Sequence, residues 1–219
     1  MNCMEDVGRK KCSDKLLAFE MKIPVSNGEG IEVGCLVPIG SWIFTDSEIL
    51  ASFVKWRNKF NRMFPTREAV NTEKTRKYIE VTYINKSDSI LFLIYAVDGS
   101  LIGHVGLARL AEKEFEVVNL IRGGDGGDRD LIYFAERSLI EFGFAVSECE
   151  TCFVEIMSYN WLASDLHQRV GFRKAESYYL RKLVSENLVE HRVADWGDKT
   201  VDYTIDRYIL AKQSVSLSR

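Results

Sequence analysis

The sequence lacks the features that define several large protein classes. Among 219 residues there are three prolines and five cysteines, and the formal net charge is only -3. A small, odd number of cysteines does not suit a disulfide framework, so we expect reduced thiols. A charge so near neutrality does not attract DNA or an anionic membrane surface. We therefore expect no nucleic-acid partner.

Long apolar runs, repeats and low-complexity segments are also missing. No stretch approaches the roughly 20 apolar residues of a membrane span, and the first residues, Met1 to Asp6, do not resemble a secretory signal. Cytoplasmic residence is the resulting expectation. With 46% apolar and 28% charged residues, the chain has the composition of an ordinary globular protein.

The length and the order of apolar patterns predict one domain with polar ends. We predict an N-terminal arm over residues 1–15, a domain over residues 16–211 and a polar tail over residues 212–219. Within the domain the order is strands, two helices, three antiparallel strands, a helix, a strand, a helix and further strands. That order predicts an α/β (α+β) fold, in which helices cover both faces of a central, twisted, mixed and mostly antiparallel sheet.

Two of the predicted helices matter for the site. Thr45-Asp-Ser-Glu48 has the pattern of a capping box, which predicts a helix that begins at this segment and ends near Lys59. A longer helix is predicted over Asp128 to Phe144, and its apolar periodicity places Glu136 away from the core-facing stripe.

One segment joins a strand, a glycine turn and this longer helix. Phe115 to Arg122 is predicted as the strand and Gly123-Gly-Asp-Gly-Gly127 as the turn. The first turn of a helix offers unpaired backbone N–H groups and the positive end of the helix dipole, and glycines let an anion approach the backbone. The segment therefore predicts a site for the phosphates of a cofactor.

Three features in this order resemble the GNAT superfamily of acetyl-CoA-dependent N-acetyltransferases. They are the strand, turn and helix just described, the segment Asn160 to Phe172 with its closing Gly-Phe, and the strand Ile102 to Leu107. Within the superfamily, four segments look most like the branch that acts on nucleotide-linked amino sugars: Val37–Gly40, Lys55–Asn58, Ile102–Gly106 and Asn119–Gly123. The turn departs from the family pattern, because Asp125 stands where a glycine is expected.

The resemblance implies that acetyl-CoA is the co-substrate and that no metal takes part. The strand backbone would pair with the pantetheine arm, and the glycines would surround the pyrophosphate. Asp125, Asp128 and Asp130 oppose a bound anion there. Asn160 can equally serve as a helix cap. The implied cofactor-binding residues are Leu120, Ile121, Arg122, Gly123, Gly124, Gly126, Gly127, Arg129, Asn160 and Ser164.

Acetylation of an amine needs a base for the amine and an acid for the leaving thiolate. His104 and Glu116, on neighbouring strands, are the candidate bases; a structural histidine and an outward-facing charge are the alternatives. His167 stands where many relatives carry a tyrosine that protonates the thiolate, which implies the same role here. The alternative for His167 is a polar residue on an exposed helix face.

The expected acceptor is a small primary amine, and the resemblance suggests an amino sugar carried on a nucleotide, in polysaccharide synthesis. Protein N-termini and antibiotic amines are alternatives, as is a degenerate fold that serves as a binding module. An acidic acceptor pocket would favour a cationic antibiotic, and a basic, aromatic one a nucleotide sugar. Relatives also suggest a homodimer. The candidate acceptor contacts are Trp56, Arg57, Asn58 and Asn119.

Cys149-Glu-Thr-Cys152 has the spacing of a redox or zinc pair. Zinc needs four ligands, and no second close pair of cysteines or histidines follows. A redox pair is favoured at the start of a helix, whereas this pair enters a predicted strand. We therefore expect two reduced thiols.

Overall fold

The computed structural model describes residues 20–216, so the predicted arm over residues 1–15 and the last three residues lie outside it. The strands are β1 (Ile23–Ser26), β2 (Glu32–Pro38), β3 (Thr66–Arg67), β4 (Ile90–Ala96), β5 (Leu101–Ala108), β6 (Glu114–Arg122), β7 (Thr151–Met157), β8 (Arg173–Ser185), β9 (Leu188–Val193) and β10 (Thr204–Ala211). The α-helices are α1 (Ser47–Lys59), α2 (Thr72–Ile79), α3 (Leu131–Val146), α4 (Trp161–Val170) and α5 (Lys212–Ser216). No helix within residues 20–216 is long and apolar enough to cross a membrane.

The ten strands form one mixed sheet in the order β1-β2-β4-β5-β6-β7-β10-β8-β9-β3. Neighbouring strands are antiparallel except β6 and β7, which are parallel. These two pair only through their first residues, from Glu114 with Thr151 to Glu116 with Phe153. Beyond Glu116 no residues of the two strands pair, so facing backbone groups are left for another partner. We name the space between these unpaired parts of β6 and β7 the cleft.

Helices cover both faces of the sheet, as alternate residues of β2 show. Leu36 packs with α3 in a core that also holds Leu131 and Phe115. Its neighbours Cys35 and Val37 pack on the opposite face, in a core formed with α1 and its Phe53. The predicted architecture, a mixed and mostly antiparallel sheet between helices, is confirmed.

Three local predictions need correction. The N-cap of α1 is Asp46, whose carboxylate accepts a hydrogen bond from Ile49 N at 3.1 Å, because Thr45 still belongs to the preceding 3-10 turn. α3 begins at Leu131 and not at Asp128, since Asp128 Oδ1 accepts from Asp130 N at 2.7 Å and closes a side-chain turn first. Glu136 does not leave the core: it is fully buried, with 0% exposure.

Candidate active site

Where β6 borders the cleft, its pairing with β5 is irregular. His104 of β5 pairs with Ile121, but Gly106 pairs with Val118, so β6 holds one extra residue between these pairs. This is a β-bulge. Asn119 lies in it with a φ of +55°, a left-handed conformation that few residues other than glycine adopt. The bulge therefore redirects the β6 backbone beside the point where β7 separates.

Two tyrosines from α2 and the turn after it hold the bulge in place. The side-chain amide of Asn119 donates to Tyr78 Oη at 2.7 Å and also to Tyr83 Oη. Burial raises the pKa of Tyr83 well above its usual value. The sequence pattern does not single out either tyrosine: Tyr78 lies in α2 and Tyr83 in the turn directly after it, and only the fold reveals their contacts with β6. Asn119, a predicted acceptor contact, thus lies at the cleft but is held by protein groups.

Glu116 lies at the last β6–β7 pair, directly before the cleft opens. Its side chain keeps 23% exposure, and Oε2 is 4.0 Å from Arg109 Nε. Burial, reinforced by the negative charge of Glu155, raises the pKa of Glu116 to about 7, although Arg109 and Arg207 oppose the shift. A carboxyl group with this pKa can accept a proton near neutral pH and release it again.

His104, the other candidate base, lies in the packed interior beneath α1. Its ring stacks on Phe53 at 4.4 Å between centroids and lies 5.9 Å from Trp56. Burial lowers the pKa of His104 to about 4, and Nδ1 has no hydrogen-bond partner within residues 20–216. These contacts suit the structural alternative, while a catalytic role for His104 stays a prediction.

The first two glycines of the turn permit close packing. A Cβ on Gly123 would lie 2.2 Å from the Trp56 ring, and one on Gly124 would lie 2.3 Å from Leu101 O. Both glycine N–H groups donate to Ile102 O, at 2.9 and 2.8 Å. Trp56, predicted to contact the acceptor, is therefore buried against the start of the turn with 4% exposure.

The last two glycines make the turn itself. Gly126 and Gly127 have φ values of +91° and +68°, and a Cβ on Gly126 would meet nothing within 4 Å. The guanidinium of Arg122 donates to Gly126 O at 2.7 Å and to Asp128 O at 3.3 Å. These hydrogen bonds from Arg122 hold the backbone of the turn in place. Arg129, at the end of the turn, is exposed.

Two of the three aspartates in this region have partners of their own. Asp128 accepts from Asp130 N, and Asp130 Oδ1 is 2.9 Å from Arg169 Nη2 on α4. Asp125 is exposed at the tip of the turn. The expected repulsion of an anion is therefore reduced at Asp130, whose charge is paired with that of Arg169.

On α4 the predicted residues are held by the protein. Asn160 caps the helix by accepting from Ala163 N at 3.4 Å, as its alternative interpretation proposed. Ser164 Oγ is 2.8 Å from Tyr208 Oη of β10. His167 does not lie on an exposed face: it is 5% exposed, and its Nδ1 donates to Glu136 Oε1.

The other predicted acceptor contacts brace the loop after α1. Arg57 donates to Asn61 Oδ1 at 2.9 Å and to Thr66 O at 2.6 Å. Asn58 exchanges two hydrogen bonds of 2.9 Å with the backbone of Val70. The structure thus does not bring Arg57 and Asn58 together with Trp56 as one aromatic, basic pocket.

A network of charged side chains lies around Phe153 instead. The Phe153 ring is buried, with the guanidinium of Arg207 at 3.7 Å and that of Arg109 at 5.6 Å from its centroid. Arg207 pairs with Glu114 and lies 3.5 Å from Glu155. We name this surface the charged face: Arg109, Glu112, Glu114, Glu116, Phe153, Glu155 and Arg207. Its four carboxyl groups outnumber its two guanidinium groups.

The cysteine pair has no metal-site geometry. Cys149 and Cys152 are both buried and free, and burial raises the pKa of the Cys152 thiol well above its usual value. Cys149 Sγ donates to Glu112 O at 3.3 Å. Within residues 20–216 no group of three or more histidine, cysteine, aspartate or glutamate side chains is arranged to hold a metal ion.

Solved structures share the fold of this chain. A probable acetyltransferase of the GNAT family from Chromobacterium violaceum aligns over 89% of this chain and 89% of its own, with a TM-score of 0.64 and 13% identity. The chain has the GNAT fold. No family model matches the sequence, and no curated protein does either.

Two further likenesses concern proteins with different acceptors. One is spermidine N-acetyltransferase from Vibrio cholerae, in complex with CoA and spermine. It aligns over 83% of this chain and 96% of its own, with a TM-score of 0.58 and 12% identity. The other is FdhC, a nucleotide-linked sugar GNAT. It aligns over 84% of this chain and 90% of its own, with a TM-score of 0.57 and 18% identity. At these identities the likenesses support the GNAT fold and leave the acceptor open.

Proposed function

We propose that the protein is an acetyl-CoA-dependent N-acetyltransferase that acts on a primary amine. The observation that carries the proposal is the position of Glu116. This carboxyl group, with its pKa raised to about 7, lies where β6 and β7 separate, and the same strand ends in the glycine turn. A proton acceptor and a phosphate-binding turn are therefore spaced along one strand.

The residues present fit CoA. Beyond Glu116 the β6 backbone lacks pairing with β7 and could pair with the amide groups of pantetheine. Gly126 and Gly127 turn the chain left-handed ahead of α3, and space remains open above Gly126. Backbone N–H groups at such a turn suit a pyrophosphate. Arg122 would act indirectly, by holding the turn in shape, and Arg129 directly, by its exposed charge.

The chemistry follows from these positions. Glu116, as the carboxylate, takes a proton from the acceptor nitrogen, either directly or through water. The nitrogen then attacks the thioester carbon, and backbone N–H groups of the bulge around Asn119 stabilise the oxygen as it becomes negative. Expulsion of the thiolate completes the transfer.

The acceptor has two candidates. A nucleotide-linked amino sugar is supported by the sequence resemblance and by the likeness in fold to FdhC. A cationic amine is favoured by the charged face, because its surplus of carboxylates attracts a second positive charge and repels a nucleotide diphosphate. Of the two, the charges of the structure favour the cationic amine. A homodimer and a cytoplasmic location stay predictions.

Acceptor choice can be tested by following CoA release from acetyl-CoA with spermidine, an aminoglycoside, a nucleotide-linked amino sugar and an N-terminal peptide. We expect the cationic amines to give the higher kcat/KM, and Glu155→Gln to reduce that value by raising KM. The matched control is Glu186→Gln, an exposed carboxylate in the β8–β9 turn. Preference for the nucleotide sugar, with no effect of Glu155→Gln, would overturn the cationic candidate and leave the acetyltransferase proposal standing.

A further inference from the structure

A buried pair of ionisable side chains joins α3 to α4. His167 Nδ1 donates to Glu136 Oε1, and the two side chains keep 6% and 0% exposure. Phe172 holds the imidazole from the side, with an edge-to-face contact at 5.6 Å. The ring is thus fixed by one polar and one apolar neighbour.

This pair joins two helices at a cost in free energy. Burying a carboxylate costs free energy that one hydrogen bond offsets only in part, and apolar side chains of similar size often do as well. Glu136 Oε2 moreover has no partner within residues 20–216. The other titratable groups around the pair are the thiol of Cys152 on β7, which the charge of Glu136 affects, and Tyr208 on β10, which reaches α4 through Ser164. Neither bonds to the pair.

Only one ring nitrogen of His167 remains available for proton transfer. Because Nδ1 is committed to Glu136, only Nε2 can exchange a proton with a ligand. Nε2 makes no hydrogen bond within residues 20–216, and the side chain as a whole keeps 6% exposure. Residues three apart share one side of a helix, which puts His167 on the side of Ser164, a predicted cofactor contact.

We propose that Glu136 is a positioning residue that, through its hydrogen bond to Nδ1, orients His167 so that Nε2 delivers a proton to the departing thiolate. The inference rests on the proposed function. The new C–N bond forms and the C–S bond breaks; the nitrogen proton goes to Glu116, and the Nε2 proton goes to sulfur. Neutral imidazole remains bonded to Glu136 through Nδ1–H, and solvent restores both residues. A carboxylate beside Nδ1 orients the ring during transfer.

Nitrogen-15 NMR of the unaltered chain tests the geometry directly. We expect a protonated Nδ1 and an Nε2 signal that moves saturably when CoA is added. Thermal shift in the same samples reports CoA binding independently. If CoA raises the melting temperature and Nε2 does not respond, this inference is wrong and the cofactor site stands. If CoA has no effect on either, the proposed function and this inference both fail.

Kinetics separate positioning from a merely structural role. We expect His167→Gln to lower kcat about 100-fold and Glu136→Gln about 10-fold, with little change in the KM of the amine. Glu136→Asp, which keeps a carboxylate for Nδ1, should restore much of the wild-type kcat, a rescue that a merely structural role would not require. Asp165→Asn, which removes an exposed carboxylate from α4, is the control and should leave kcat unchanged.

The inference is overturned if Glu136→Gln keeps both the wild-type melting temperature and the wild-type kcat. Should that variant fail to fold, the NMR measurement still decides, because it needs no substitution.

Discussion

The proposed cofactor side of the site, from Asn119 to Asp130, depends mainly on its backbone, which is left-handed at Asn119, Gly126 and Gly127. The charged face consists of side chains on ordinary strands. On the first side, function depends on where a Cβ is missing, as at Gly123 and Gly124. On the second it depends on which charges are brought together, as at Glu116. The two sides should therefore respond to different kinds of substitution.

This difference matches the two proposed ligands. A phosphate chain is the same in every turnover, and backbone N–H groups can bind it without a specific side chain. An amine acceptor is what distinguishes one acetyltransferase from another, and side-chain charge is the means of selecting it. Substitutions that change packing on the cofactor side, or charge on the charged face, therefore test this difference between the two sides.

The largest effect is expected on the charged face. Glu116→Gln should lower kcat/KM for the amine about 100-fold or more, because it removes the proton acceptor, while acetyl-CoA binding measured by calorimetry stays unchanged. In the unaltered protein kcat/KM should rise with pH through about 7, as Glu116 ionises. The control, Glu112→Gln, alters a carboxylate with 56% exposure on the same face and should cost far less. Equal losses in both variants would contradict the role of Glu116.

On the cofactor side, the addition of a single methyl group should be enough to destabilise the fold. Gly123→Ala drives a Cβ into the Trp56 ring and should lower the free energy of unfolding by about 3 kcal/mol. Gly126→Ala meets no atom but has a φ of +91°, so we expect about 1 kcal/mol. Gly197→Ala, with open space and no left-handed backbone, is the control. Urea unfolding measures all three, and similar losses for Gly123 and Gly197 would refute the packing explanation.

His104 should behave as part of the packed interior and not of the charged face. Its pKa is lowered from 6.5 to about 4, so its contribution to stability is present above pH 6.5 and is lost as the pH falls toward 4. We expect about 2 kcal/mol of stability to disappear over that range, and His104→Phe to flatten this part of the profile in thermal unfolding. An unchanged profile would contradict the buried neutral imidazole. Loss of turnover without loss of stability in His104→Phe would restore its catalytic interpretation.

The smallest effect concerns the one exposed aspartate of the turn. Asp125→Asn should tighten acetyl-CoA binding about three-fold, because a negative charge beside the pyrophosphate is removed, and the gain should shrink as salt is added. Asp198→Asn, in the 3-10 turn after β9, is the distant control. Calorimetry at two salt concentrations checks both variants. Weaker binding of acetyl-CoA by the Asp125→Asn variant would mean that Asp125 helps to shape the turn.

The cofactor side was predictable because its residues are consecutive. Strand, glycines and helix follow one another from Phe115 onward, and local rules fix each of them. Only the details differ: Arg122 holds the turn from inside, and α3 begins three residues later than expected. Those details depend on hydrogen bonds between side chains and backbone, which composition and spacing do not reveal.

The charged face was not predictable, because β6, β7 and β10 bring Glu116, Glu155 and Arg207 together from distant parts of the chain. Only Glu116 was a candidate. Glu136 was missed for a related reason: helical periodicity places a carboxylate away from the apolar stripe, and only the packing of α4 shows that His167 buries it. Arg57 is an acceptor candidate from the sequence because a cation beside an indole can bind a sugar or a phosphate, and its contacts with the loop after α1 depend on tertiary structure.

The most direct test is to measure amine-dependent release of CoA from acetyl-CoA as a function of pH. We expect release that requires an amine, rises through about pH 7 as Glu116 ionises, and is lost in Glu116→Gln. No release with any amine, together with no rise in melting temperature on addition of acetyl-CoA, would contradict the acetyltransferase. The GNAT fold would then serve as a binding module in this protein.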